Sequence, residues 1–180
     1  GDYSFCSSGI EKIAIPSGVA EIGSYAFYRC SSLTDITIPK TVSRIGGRAF
    51  YSTPWFEAQR ESSGTVIVNS VLVDALSAEG SYTVPAGITS ISGFAFSGSG
   101  VTSVTVPKGV EHLDAGAFSY AAKLTSVTIP ETVTEIGPDA FAQCVKLAEI
   151  TVSADDPAYS TSDGVLYDKN KTELIKYPQA

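Results

Sequence analysis

The sequence predicts a β-rich repeat solenoid of the α/β class, in which short parallel strands and turns stack as successive rungs. A proline and a phenylalanine recur eleven residues apart in five places, and the prolines follow one another at 23, 46, 22 and 23 residues. Self-similarity at a fixed period of this length is typical of stacked repeat units. The pairs are Pro16 and Phe27, Pro39 and Phe50, Pro85 and Phe96, Pro107 and Phe118, and Pro130 and Phe141.

The order of apolar residues within one repeat predicts how each rung is built. In the clearest copy, Ile36 and Ile38 alternate with a period of 2, as the inward residues of a strand do. Pro39 then ends the strand because it has no N–H to donate. Val42 and Ile45 turn two more side chains inward. Stacked rungs therefore share one continuous apolar column, which no single rung could bury alone.

The end of each rung is predicted to turn sharply. A glycine follows the second apolar pair in three copies, and we expect a positive φ there, which glycine adopts freely. The Ala-Phe pair is expected to close the rung as a short helical turn, with the phenylalanine filling the layer. The glycines are Gly23, Gly46 and Gly137, and Ser92 and Asp114 take their place in the other two copies.

Two stretches break the period. Residues 51–81 replace a rung, with a short helix expected from Thr53-Pro54 through Arg60 and strands at 65–68 and 71–75. Residues 153–180 are expected to cap the stack, through a hairpin of strands 165–167 and 174–177. No low-complexity linker interrupts the chain, so residues 1–180 are interpreted as a single domain of about seven rungs at ~4.8 Å spacing.

Composition narrows the classes of partner. The net charge of −7 argues against nucleic acid and anionic membrane surfaces, which need clustered Lys and Arg. No apolar run approaches the ~20 residues of a membrane helix, so no direct membrane insertion is expected.

Cys30 and Cys144 share a column of small residues and are expected to be core fillers. Cys6 could approach Cys30 across neighbouring rungs, so a disulfide between them stays open.

The repeated pattern L-x-x-I-x-I-P-x-x-V-x-x-I-G-x-x-A-F-x-x-C, clearest from Leu33 to Phe50, resembles the BspA-like leucine-rich repeats of 23 residues. The resemblance covers nearly the whole chain and implies a right-handed solenoid. It also implies a cell-surface or secreted bacterial protein, often linked to adhesion or to binding of host proteins. The asparagine ladder of better-known leucine-rich repeats is missing here. Any export signal or anchor is expected to lie outside these 180 residues.

No catalytic, metal or cofactor site is expected. His112, the single histidine, lies one rung from Glu135 in the repeat, and no serine sits in a nucleophile motif, so we expect a weak surface pair. Asp168-x-Asn170-x-Thr172 resembles the start of a calcium loop but lacks the glycine and the terminal acid of such loops. A hairpin turn explains these residues better.

The strand face is the first candidate contact surface. Residues between and beside the inward strand positions form a hydroxyl-rich face suited to an extended peptide, a protein loop or a glycan. Threonine also simply suits a solvated parallel strand. The candidate residues are Lys12, Asp35, Thr37, Thr83, Thr105, Thr128, Glu149 and Thr151.

Aromatic residues around the Ala-Phe turns are the second candidate surface. Tyr and Trp are favoured where proteins contact proteins or sugars. Trp55 and its neighbour Phe56 have an alternative role as a plug that seals the stack where the rung is missing. The candidate patch comprises Tyr25, Tyr28, Tyr51, Trp55 and Phe94.

The repeat architecture favours a non-enzymatic protein-binding module, and the resemblance implies that this module is surface-exposed and used in adhesion. The expected partner is another protein, and the resemblance implies a host or extracellular-matrix protein. One alternative is a structural spacer in a larger surface protein. A further alternative is a carbohydrate-binding module that uses the region of Trp55 and Tyr51.

Overall fold

The computed structural model describes residues 1–177 as about six stacked coils of parallel strands with one short helix. Each regular rung contributes one strand to a first row and a shorter strand to a second row. Numbered in chain order, the first row contains β1 (Lys12–Ala14), β3 (Asp35–Thr37), β7 (Glu79–Thr83), β9 (Gly100–Thr105), β11 (Ser126–Ile129) and β13 (Glu149–Val152). The second row contains β2 (Glu21–Ile22), β4 (Arg44–Ile45), β6 (Val71–Asp74), β8 (Ser90–Ile91), β10 (His112–Leu113) and β12 (Glu135–Ile136).

Equivalent repeat positions lie side by side in both rows. In the first row, Ile13 pairs with Ile36, and Val104 pairs with Val127, which in turn pairs with Ile150. All of these pairings are parallel, because each rung makes a complete turn and brings the chain back in the same direction. The first row is divided into β1–β3 and β7–β9–β11–β13, and the second into β2–β4 and β6–β8–β10–β12. The predicted solenoid is confirmed, with a division at the irregular rung and with about six coils where about seven rungs were expected.

The phenylalanines stack in a row on each side of that division. Phe27 and Phe50 have ring centroids 5.6 Å apart, and Phe118 lies 4.9 Å from Phe96 and 5.2 Å from Phe141. The interplanar angles are 8°, 11° and 6°, so the rings are parallel. A further ring, that of Phe5, stacks on Phe27 at 5.1 Å. The apolar column is therefore continuous within each half of the stack.

The Ala-Phe segments are hydrogen-bonded turns, and the expectation of a helical turn was wrong. Ala26 N–H donates to Gly23 O at 3.3 Å within the rung, but Phe27 N–H donates to Ala49 O of the next rung at 2.7 Å. Tyr25 has a φ of 57°, in the left-handed region, where an α-helix of L-residues does not continue. Bonds between rungs therefore replace the bonds that a helix would make internally.

The expectation of a positive φ at the repeat glycines was also wrong. The left-handed residue falls two positions later, as at Asp139 with a φ of 55°. Glycine is needed for a different reason, which is close backbone approach. A Cβ on Gly137 would lie 2.5 Å from Ala115 N of the preceding rung, and a Cβ on Gly46 would clash with Ser24 N. The rungs stack so tightly at this turn that no side chain fits between them.

The irregular rung has the elements that the sequence predicts. Helix α1 (Pro54–Ser63) follows Thr53, whose hydroxyl accepts a hydrogen bond from Phe56 N–H at 3.1 Å and donates to Phe50 O at 2.8 Å. Gly64, with a φ of 73°, ends the helix. Strand β5 (Val66–Val68) then pairs antiparallel with β6, which continues the second row.

The shortened turn of this rung bends the stack. At this turn no third-rung residue separates the second and fourth rungs, and Gly47 packs directly against Gly93. A Cβ on Gly47 would lie 2.9 Å from Gly93 O. The Ser92 hydroxyl donates to the Ile45 carbonyl across the same contact. Asn69 Nδ2 donates at 2.9 Å to each of two carbonyls of the second rung. The contact of Gly47 with Gly93 and the Ser92 hydrogen bond therefore fix the second and fourth rungs directly against each other, and Asn69 ties the irregular rung to the second.

The core divides into two apolar clusters that meet at β6. Val71 and Val73 pack with the N-terminal cluster, whereas Leu72 packs with the C-terminal one. Successive strand residues point to opposite faces, so one strand serves both clusters. The irregular rung is consequently shared by both halves of the molecule.

The C-terminal cap is an antiparallel sheet of three strands. The predicted hairpin is confirmed as β15 (Val165–Asp168) and β16 (Leu174–Lys176), and β14 (Tyr159–Ser162) adds a strand that was not predicted. The Tyr159 hydroxyl accepts from Ile136 N–H at 2.9 Å and donates to Thr134 O at 3.3 Å, which ties the cap to the second row. Residues 178–180 of the expected cap lie outside the described residues.

Candidate functional site

The strand face carries a ladder of exposed hydroxyl groups. Thr83 pairs with Thr105, Thr105 with Thr128, and Thr128 with Thr151, and all four side chains are exposed. Glu149 lies on the same surface, with Oε1 3.3 Å from the Thr151 hydroxyl. The structure therefore brings five of the candidate residues onto one continuous sheet.

The other three candidates of the strand face lie beyond the irregular rung. Lys12 and Asp35 are paired residues of β1 and β3, with their charged atoms 3.9 Å apart and both side chains exposed. Thr37 lies at the end of β3, opposite Ala14. Since these strands form a separate sheet, they extend the same repeat column without continuing the hydroxyl ladder.

On the turn face, four tyrosines form what we call the aromatic ladder: Tyr3, Tyr25, Tyr28 and Tyr51. Tyr3 stacks on Tyr25 at 4.9 Å, Tyr25 meets Tyr28 edge to face at 5.4 Å, and Tyr28 stacks on Tyr51 at 6.0 Å. Tyr3 was not predicted. It precedes Phe5 by two residues, as Tyr25 precedes Phe27, so extending the repeat back to the first residues would have found it.

Two arginines flank the aromatic ladder, and sequence reasoning missed both. The Arg29 guanidinium carbon lies 5.1 Å from the centre of the Tyr28 ring. That of Arg48 lies 5.7 Å from the Tyr51 ring and 4.5 Å from the Phe94 ring. At these distances a guanidinium is attracted to an aromatic face. The only sequence signal was that both arginines lie close to the tyrosines in the repeat.

The remaining two aromatic candidates have different positions. Phe94 is linked to the ladder through Arg48, whose guanidinium lies over the Tyr51 and Phe94 rings. Trp55 packs edge to face on Phe50 at 5.0 Å, and its neighbour Phe56 is buried in the N-terminal cluster. The geometry agrees with the interpretation of Trp55 and Phe56 as a plug at the irregular rung.

A cluster of charged residues lies on the inner side of the bend. Arg44 donates from one nitrogen to Asp114 Oδ1 at 2.9 Å and from the other to Glu135 Oε2 at 3.1 Å. His112 Nδ1 lies 3.1 Å from the same Glu135 oxygen, which confirms the predicted pair. The reach of Arg44 across the bend was not predicted, because the repeat alone places Arg44 beside Glu21.

Asp114 is the most enclosed acid of this cluster, with 11% of its side chain exposed. Burial raises the pKa of the Asp114 carboxyl above its ordinary value, because the charged form is harder to solvate there. The hydrogen bond and charge of Arg44 oppose this shift without cancelling it. Arg44 and Asp114 are thus a partly desolvated pair that fastens the two halves of the stack together.

The loop at residues 168–173 is a hairpin turn. The Asp168 carboxylate accepts hydrogen bonds from Glu173 N–H at 2.6 Å and from the Thr172 hydroxyl at 2.8 Å. These bonds lower the pKa of Asp168. Within residues 1–177, no group of three or more His, Cys, Asp and Glu side chains is arranged to hold a metal ion.

The cysteines fill small core positions, as expected for Cys30 and Cys144. Both are fully buried, and their thiols donate to Phe5 O at 2.9 Å and to Phe118 O at 3.0 Å. Burial raises the pKa of the Cys144 thiol to about 11. All three cysteines, including the half-exposed Cys6, are free thiols in the structure.

Stacked parallel coils with a phenylalanine in each regular rung place the protein among the leucine-rich-repeat solenoids. The BspA type leucine-rich repeat region matches residues 1–77 and 77–179 in six copies, and the chain belongs to this family. No match is found among curated proteins. In the part of the chain that the structure describes, no helix has the length and apolarity needed to span a membrane.

Two solved structures illustrate the similarity. The pneumococcal vaccine antigen PcpA has a TM-score of 0.55 and 24% identity, covering 94% of this chain and 37% of that one. A leucine-rich cell surface protein of Faecalibacterium prausnitzii has a TM-score of 0.50 and 33% identity, covering 98% of this chain and 48% of that one. The chain therefore spans less than half the length of either protein.

Proposed function

We propose that this chain is a non-enzymatic binding module of a bacterial surface protein, and that its partner is another protein. The family supports a scaffold role, because solenoids present extended surfaces for contact. The Faecalibacterium prausnitzii relative, described as a cell surface protein, supports the location. His112, Asp168 and the cysteines each make local contacts that stabilise the fold, and these contacts account for them without a reaction.

The aromatic ladder is the observation that carries this proposal. Tyrosine and arginine are the residue types that most often dominate binding energy at protein interfaces. Here 58% of Tyr3 and 40% of Tyr51 are exposed, and Arg29 and Arg48 lie beside the rings. The stacked rungs hold these rings in place before any partner arrives, so binding costs little side-chain entropy.

The hydroxyl ladder is a second proposed contact surface, with Thr105 and Thr128 at its centre. Its regular, exposed threonines are suited to an extended segment of the partner lying along the strands. Because threonine is also common on solvated strands, the aromatic ladder takes precedence.

The test measures binding of the chain to a panel of purified extracellular-matrix proteins by surface plasmon resonance. We expect the double variant Tyr28→Ala/Tyr51→Ala to weaken the observed binding at least tenfold, since each hot-spot ring contributes more than about 1 kcal/mol. Tyr177→Ala, which removes another exposed tyrosine, is the matched control. The variant Thr105→Arg/Thr128→Arg tests the strand face in the same assay.

The two alternatives give different results. A carbohydrate-binding module would bind no protein of the panel but would give signals on a glycan array that depend on Tyr51. Trp55 contributes little to that alternative, because its ring packs on Phe50. A spacer would bind neither proteins nor glycans, and that result would contradict the proposed function.

A further inference from the structure

A cleft of about 660 Å³ lies on the inner side of the bend, between the two halves of the stack. This volume is within the range of ligand sites in proteins. Its walls come from both sides of the irregular rung. They include Glu21, Tyr25 and Arg44 of the N-terminal half and Phe94, Tyr120 and Asp139 of the C-terminal half.

The cleft carries an excess of negative charge. Four carboxylates and one guanidinium line it, which gives a formal balance of 1 − 4 = −3. Arg44 neutralises part of this charge by contacting Asp114 and Glu135. Within residues 1–177, Glu21 and Asp139 form no ion pair, and both are exposed. Two carboxylates on opposite walls are therefore open to a cation entering from solvent.

Three aromatic rings line the same cleft, those of Tyr25, Phe94 and Tyr120. The Tyr120 side chain is 57% exposed. A Lys or Arg side chain over an aromatic face is attracted to it, and a nearby carboxylate adds a charge-assisted hydrogen bond. Arg48 already lies over the Phe94 ring, and Tyr3 stacks on the Tyr25 ring, so Tyr120 is the ring most open to an entering cation. An exposed ring and carboxylates in one cavity favour a cationic ligand over an anionic or apolar one.

The walls of the cleft are held in place by contacts that do not involve a ligand. Gly47 and Gly93 are in backbone contact, the Ser92 hydroxyl bonds to Ile45 O, and Arg44 joins the halves. A site that exists before binding loses little free energy to reorganisation. The Arg44 guanidinium already binds two carboxylates of this cleft, those of Asp114 and Glu135, in the way that an entering Arg or Lys would bind the others.

We propose that the cleft binds a basic segment of the partner protein, with Arg or Lys side chains entering between Glu21 and Asp139. This inference rests on the proposed function and adds the chemical class of the partner. Charge complementarity supports it, because the entering cation offsets the uncompensated carboxylates. The site is distinct from the aromatic ladder, although Tyr25 contributes to both surfaces.

The test uses a tetra-arginine peptide as the probe and isothermal titration calorimetry at 50 and 150 mM salt. We expect Glu21→Gln/Asp139→Asn to weaken binding about tenfold, through loss of two charged contacts. The matched control is Glu61→Gln/Asp163→Asn, which removes the same formal charge at two exposed positions outside the cleft. We expect the control to change affinity less than about twofold, because distant surface charges are screened.

Equal weakening in both double variants would overturn the inference, since general attraction to an acidic protein would then explain the binding. Tyr120→Ala is a further check, and we expect it to weaken tetra-arginine without changing the thermal unfolding midpoint. If tetra-arginine does not bind but matrix proteins bind through Tyr28 and Tyr51, the cleft inference falls and the proposed function stands. If tetra-arginine binds in the cleft but no protein of the panel binds, the proposed function falls.

Discussion

At the scale of single residues, the repeat determines which side chains point inward. The contacts between rungs explain why each position requires its particular residue type. The inward isoleucines, valines and phenylalanines followed from periodicity, because alternation and spacing are properties of one rung. The reason for the repeat glycines did not follow from periodicity. Gly137 has no unusual φ, and only the three-dimensional stacking places Ala115 N where a Cβ would lie.

Gly137→Ala should destabilise the protein by about 1–3 kcal/mol, because the added methyl group must displace the backbone of the neighbouring rung. Gly18→Ala is the matched control, since a Cβ at Gly18 would meet no atom within 4 Å. The measurement is urea denaturation followed by circular dichroism. Similar midpoints for the two variants would contradict the close approach of the rungs.

Cys144 should resist alkylation in the folded protein. With its pKa raised to about 11, only about one thiol in a thousand is ionised at pH 8, and the side chain is fully buried. Iodoacetamide at pH 8, followed by mass spectrometry, should modify the half-exposed Cys6 first and Cys144 only after addition of urea. Modification of Cys144 in native protein as quickly as Cys6 would show that its layer is open.

At the scale of elements, the sequence predicted the helix and the hairpin of the irregular rung but did not predict the bend that this rung causes. Thr53-Pro54 is a helix start, and alternating valines on either side of Asn69 indicate a hairpin, so local signals were sufficient. The bend could not be predicted from local signals, because it depends on the contact between Gly47 and Gly93, which forms where a full turn is missing. The cleft and the reach of Arg44 are both products of this bend.

Thr53→Val should lower the free energy of unfolding by about 0.5–2 kcal/mol, although threonine and valine side chains have nearly the same shape. The variant leaves Phe56 N–H and Phe50 O without their partner in a buried place. Ser62→Ala, at an exposed position of the same helix, should change stability by less than about 0.5 kcal/mol. Thermal unfolding of both variants tests the cap, and equal midpoints would mean that the hydroxyl contributes nothing.

At the scale of the whole molecule, two apolar clusters share a strand, and we propose that residues 1–180 form a single domain. Strand β6 gives side chains to both clusters, so the N-terminal rungs cannot lose their packing without disturbing the rest. We expect one cooperative transition, with equal calorimetric and van't Hoff enthalpies of unfolding. Two resolved transitions in differential scanning calorimetry would instead indicate halves that unfold separately.

The bend at the irregular rung is the feature on which the cleft depends, and a double-mutant cycle between Arg44 and Asp114 tests it most directly. In a straight stack, β4 and β10 would lie three steps apart, or ~14 Å, and the two residues would not interact. In the bent stack their charged atoms are 2.9 Å apart. We expect a coupling energy above about 0.5 kcal/mol from Arg44→Gln, Asp114→Asn and the double variant in urea denaturation. Additive effects of the two substitutions would contradict the bend.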